Sequence, residues 1–165
     1  MFRIWTENNF NFVTIDDTSW TTPSDSEYSY VSLEEKPAYV FRDNNFLWEV
    51  KELPIGLNNW YWGDLDNLGN DVLYVRNPTS IKYAQYKTII SNTENKKIYT
   101  TKIIVRNKGS NHIYLKLNVD GAMVLDDYYL DKSELFIDDK IPVENFLKLG
   151  ASGENVEIII YGLYK

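Results

Sequence analysis

Trp60-Tyr61-Trp62-Gly63-Asp64-Leu65-Asp66-Asn67-Leu68-Gly69-Asn70-Asp71-Val72-Leu73-Tyr74-Val75-Arg76-Asn77 is the stretch on which the fold turns. Consecutive aromatics run into a glycine, an acidic Asn/Gly-rich connection follows, and an apolar run opens at Val72, the order expected of strand, turn and strand. Successive side chains of a strand point to opposite faces, so Trp60, Tyr61 and Trp62 cannot all enter one core. Either Tyr61 or the two tryptophans face away from it, toward a partner surface or a second core.

Upstream, Ala38-Tyr39-Val40-Phe41 and Phe46-Leu47-Trp48-Glu49-Val50 flank Arg42-Asp43-Asn44-Asn45, which predicts a hairpin. Two shorter apolar pieces, Phe2 to Trp5 and Phe10 to Ile15, predict strands joined by a tight turn at Asn8-Asn9, the first an edge or docking strand. Downstream, Asn77-Pro78-Thr79-Ser80 is turn chemistry with a missing ladder donor at Pro78, and places a linker near residues 77–82. The expected organisation is therefore an N-terminal β module over residues 1–80, its first residues a possible docking arm, and a second module over 81–165.

The second module reads as evenly spaced short strands over 83–91, 98–106, 112–119, 122–125, 134–137, 146–149 and 156–163, the pattern of an antiparallel β-sandwich of jelly-roll or Ig-like type. Ile113, Leu115, Leu117 and Val119 alternate with His112, Tyr114, Lys116 and Asn118, as on a half-buried strand. Ile103-Ile104-Val105 and Ile158-Ile159-Ile160 are unbroken apolar runs, which indicates central strands covered on both faces or burial at a subunit contact.

Composition agrees with an all-β protein. Of 165 residues, 44% are hydrophobic and 15% aromatic, with 13 Tyr and 5 Trp, enough for a core and weighted toward strand formers. With 17 basic and 24 acidic residues the net charge is -7, which repels nucleic acid and anionic membrane surfaces. Cysteine is absent, which removes disulfides, thiolate nucleophiles and thiolate metal sites from consideration. The start of the chain carries neither a targeting pattern nor an apolar run long enough for a membrane span, so synthesis in the cytoplasm is expected.

Catalytic patterns are weak. His112 is the single histidine, and no Gly-x-Ser-x-Gly elbow accompanies it; Ala151-Ser152-Gly153 reads as a loop. Asp64 and Asp66 resemble the start of a calcium loop, but Leu68 and Val75 stand where oxygen ligands belong, so no metal or other cofactor is expected. Asp120, Asp126, Asp127, Asp131, Asp138 and Asp139 could supply a carboxylate pair for glycoside hydrolysis, yet their spacing does not require it, and solvated surface is the expectation. The exposed face of the aromatic strand carries the functional expectation instead, because such side chains anchor protein interfaces and stack on sugars. The candidate partner-binding residues are Trp60, Tyr61 and Trp62, with Phe2, Ile4 and Trp5 of the N-terminal segment.

Taken together, Trp20, Glu27-Tyr28, Pro37, Leu53-Pro54-Ile55-Gly56-Leu57, the Trp60 to Gly69 run and Tyr74-Val75-Arg76 resemble a module of small structural proteins encoded in the virion gene clusters of tailed bacteriophages. Ile98-Tyr99-Thr100-Thr101, Ile104 to Ser110, His112 to Val119 and Val156 to Gly162 are similar to the β-sandwich that ends such proteins. Those proteins commonly carry a longer Asp-Gly-rich loop after Tyr-Val-Arg, where this chain has only Asn77-Pro78-Thr79-Ser80. The resemblance implies a non-enzymatic virion protein: an auxiliary or decoration capsid protein, a head-fibre component, or a head-to-tail or tail component. Its implied partners are other capsid or tail proteins and further copies of itself, a trimer being favoured. A carbohydrate-binding β-sandwich module, with Trp60 or Trp62 stacked on a surface glycan, is the alternative expectation.

Overall fold

A computed structural model describes all residues except Asn8, Asn9 and Asn11, so the turn expected at Asn8-Asn9 lies outside the described residues. The chain is all-β and divides into two compact units, one formed by Phe12–Gln85 and the other by the first residues of the chain together with Tyr86–Lys165.

The first unit is a seven-stranded sheet. Its strands are β2 (Phe12–Thr14), β3 (Ser29–Val31), β4 (Tyr39–Arg42), β5 (Asn45–Glu49), β6 (Asn59–Gly63), β7 (Val72–Val75) and β8 (Ile81–Ala84). They lie in the order β2-β8-β4-β5-β6-β7-β3, antiparallel throughout except for the β5–β6 pair. The predicted hairpin is β4–β5, turned by Asp43 and Asn44 with φ of 50° and 72°, the left-handed pair a two-residue hairpin demands and that Asp and Asn tolerate.

Period-two alternation sorts the side chains of this sheet. Val40, Leu47, Trp60, Leu73, Val75 and Ile81 fill one core, with Trp62 packed against it. Tyr61 points the other way, into a second cluster with Ile55, Val72 and Tyr74. The aromatic strand is thus covered on both sides.

The second unit is a sandwich. One sheet carries β1 (Phe2–Glu7), β16 (Val156–Tyr164), β10 (Ile98–Asn107) and β13 (Glu134–Ile137) in that order, with β14 (Ile141–Val143) also on β10. The other is β12 (Ala122–Leu130), β11 (Ile113–Val119), β15 (Phe146–Ala151) and β9 (Lys87–Ser91). All pairs are antiparallel. The predicted alternation holds: Ile113, Leu115, Leu117 and Val119 enter a core that also takes Ile103, Val105, Ile158 and Ile160.

Two expectations change. The linker predicted near 77–82 is not one, because Ile81–Ala84 pairs with both β2 and β4 inside the first unit; the chain crosses at Gln85–Tyr86, which also splits the strand expected over 83–91. Nor do residues 1–80 form one module. Phe2–Glu7 pairs along its length with the last strand, from Phe2↔Gly162 to Glu7↔Glu157, and so completes the sandwich. The apolar residues Phe2 and Ile4, one face of an alternating strand, supply the reason: both pack on the sandwich core.

Candidate functional site

The outer face of the five-stranded sheet is built by register. Trp5 lies beside Ile159, Ile159 beside Ile104, and Ile104 beside Phe136, so one apolar row crosses β1, β16, β10 and β13 at right angles to the strands. Interstrand spacing puts its ends roughly 14 Å apart. Ile104 and Ile159 are under a tenth exposed, whereas Trp5 is 52% and Phe136 50% exposed. The unbroken isoleucine runs are thereby accounted for: their middle residues are covered on the outward face of central strands.

Charged rows flank the apolar one. On one side Glu7, Glu157, Arg106 and Glu134 stand in register. The Arg106 guanidinium donates to Glu134 and, at 2.7 Å, to Glu157, while Lys108 pairs with Glu7 at 3.1 Å. The Trp5 indole N–H donates to Glu157 at 2.8 Å, and this bond, with Arg106 second, holds the Glu157 carboxyl below the ordinary glutamate range. On the other side Arg3 lies over the Tyr161 ring and Lys102 over the Phe136 ring. A rigid sheet presenting Trp, Phe, Tyr and Arg around an apolar centre, with an ionic rim, has the composition of interface hot spots.

The six residues expected to bind a partner separate accordingly. Trp5 is on this surface. Phe2 and Ile4 point inward from the same strand, and Phe2 fits only because residue 162 is glycine: a Cβ there would lie 2.2 Å from the Phe2 ring. Trp60 is 1% exposed and belongs to the core, whereas Tyr61 and Trp62 are half-buried, each packed against the cluster on its own side of the sheet. Phe136 carries no such signal in the sequence, and Ile104 and Ile159 stand out there only as members of apolar runs. Their grouping depends on cross-strand register, which no local pattern announces.

The acidic loop serves the fold. Asp64 accepts from the Leu68 and Gly69 backbone at 2.7 and 2.8 Å, and Asp66 accepts from the Tyr74 hydroxyl at 2.8 Å, which closes the turn between β6 and β7. Burial and the Asp66 carboxylate push the Tyr74 hydroxyl well above the usual tyrosine range. Asp120 accepts three backbone N–H groups, those of Glu144, Asn145 and Phe146. Asp127 pairs with Lys116 and Asp138 with Lys102. His112 stacks on Tyr129 at 4.8 Å with Tyr114 edge-on. Among the described residues no group of three or more His, Asp or Glu is placed to hold a metal ion. In comparisons with protein-family models, curated proteins and solved structures, the chain matches none.

Proposed function

We propose that the chain is a structural component of a tailed-phage virion, acting by protein–protein assembly through the outer face of the five-stranded sheet. The observation that carries this reading is the pairing of two half-exposed aromatics, Trp5 and Phe136, at the ends of one apolar row on a rigid sheet. Large aromatics left open on a stable β surface are favoured where a partner covers them. The resemblance in Trp60 to Arg76 and in the sandwich strands supports the virion setting. The partners are other capsid or tail proteins, with a symmetric homo-oligomer, a trimer favoured, as the form in which it assembles. Light scattering on gel-filtered protein and sedimentation with purified particles test this. An oligomer that cosediments with particles is expected. A monomer that never enters the particle fraction contradicts it.

A further inference from the structure

The outer face of the first unit holds a feature that assembly through the sandwich leaves unused. Four rings follow one another across β2, β4 and β5: Phe12 to Phe41 at 4.9 Å, Phe41 to Phe46 at 5.7 Å, and Phe46 to Trp48 at 4.6 Å. Trp48, at one end of this track, is 45% exposed. At the other end Lys82 lies over the Phe12 and Phe41 rings, and its ammonium donates to the Asn44 side-chain oxygen at 2.6 Å.

Lys82 and Asn44 also line a cleft of about 590 Å³ between the β4–β5 turn, the 3-10 turn at Asp17–Ser19 and the Ser80 turn. Asp16, Asp17 and Asp43 share its walls. Asp17 is engaged with the Ser80 N–H, and Asp16 caps Thr18. Asp43 and Asn44 are exposed at the rim, and among the described residues no side-chain hydrogen bond uses the Asp43 carboxylate or the Asn44 amide N–H groups. Asp43, Asn44 and Ser80 all have left-handed backbone, which fixes the rim through turns and not through flexible side chains.

We propose that this unit binds a neutral oligosaccharide, with a pyranose face stacked on Trp48, whose ring stands edge-to-face with Phe46, and hydroxyl groups held at the cleft by Asp43, Asn44 and Lys82. A sugar ring has apolar C–H faces and a polar edge, and the track joins an aromatic platform to donors and acceptors in that order. Three aspartates against one lysine disfavour uronate- or phosphate-bearing glycans by like-charge repulsion. The site is made of residues other than Trp60 and Trp62.

Native affinity electrophoresis of the full chain tests the proposal, in gels containing dextran, a mixed-linkage β-glucan, a galactomannan or polygalacturonate. Retardation in at least one neutral gel is expected. It should weaken by about tenfold or more in Trp48→Ala, and likewise in Asn44→Gly, where glycine keeps the backbone conformation. Both variants should melt as the wild type does or only slightly lower. Absence of retardation in every neutral gel, retardation in polygalacturonate alone, or retardation that Trp48→Ala leaves unchanged overturns it.

Discussion

Trp5 and Glu157, 152 residues apart in sequence, are joined by an indole N–H donated to a carboxylate at 2.8 Å. The bond ties the first strand of the chain to the last and fixes the ring that stands at one end of the exposed row. Its effect is calculable in sign. Glu157 has a folded pKa depressed first by Trp5 and then by Arg106, so its contribution to stability is complete above the unfolded glutamate pKa and is lost as pH falls through the folded value. Trp5→Phe should therefore cost about 1 kcal/mol near neutral pH and make the acid side of the stability curve shallower. Urea denaturation of both proteins across the acid range checks it.

Asp120 offers a second carboxylate test. Burial pushes its pKa up, but the N–H groups of Glu144, Phe146 and Asn145 outweigh that and leave it below the ordinary aspartate range. The clamp joins the β11–β12 turn to the β14–β15 turn. Asp120→Asn keeps a side chain that tolerates the left-handed φ of 53° and removes the charge. Its expected cost is about 1 kcal/mol near neutral pH, shrinking toward zero as acid protonates the wild-type carboxyl below its folded pKa.

Gly162→Ala tests the docking of the first strand. The added methyl would meet the Phe2 ring at 2.2 Å and the Tyr99 carbonyl oxygen at 2.6 Å, and a backbone atom cannot swing aside as a side-chain tip can. Overpacking of this kind costs about 1 to 3 kcal/mol. Amide hydrogen exchange should show β1 losing protection while β11 and β15 keep theirs.

In the first unit, Trp60→Ala should remove about 3 to 5 kcal/mol by opening a cavity among Val40, Leu47 and Leu73, with urea midpoint as the readout. Tyr74→Phe should cost about 1 to 2 kcal/mol, since it strips Asp66 of a donor and the Leu65 N–H of its acceptor. Neither substitution should alter partner binding, because both side chains are buried in clusters of the first unit.

The strands were legible where alternation was strict. His112 to Val119 announces its two faces, and Arg42 to Asn45 announces its turn, because period two and left-handed tolerance are local properties. The acidic loop after Trp62 likewise reads as a connection, and its carboxylates bond within the turn. The tryptophans of that strand were the misleading signal: alternation says that two faces exist, but not that Ile55, Val72 and Tyr74 build a second cluster over Tyr61. Phe2 to Trp5 showed strand character, yet its partner is 150 and more residues away, and no local pattern encodes such a pairing. The row that ends in two exposed aromatics is invisible for the same reason. Trp5, Ile159, Ile104 and Phe136 come from four strands, and only their register makes them neighbours.

The measurement closest to the central claim is incorporation into particles of the double variant Trp5→Ser/Phe136→Ser. Its thermal midpoint and that of Phe136→Ser alone are recorded alongside, so that loss of assembly is separated from loss of fold. Hot-spot aromatics at an interface are worth about 2 kcal/mol or more each. The account predicts that the folded double variant falls by at least about tenfold in gradient-purified particles, with Phe136→Ser giving a partial loss. Wild-type occupancy of the folded double variant would contradict it.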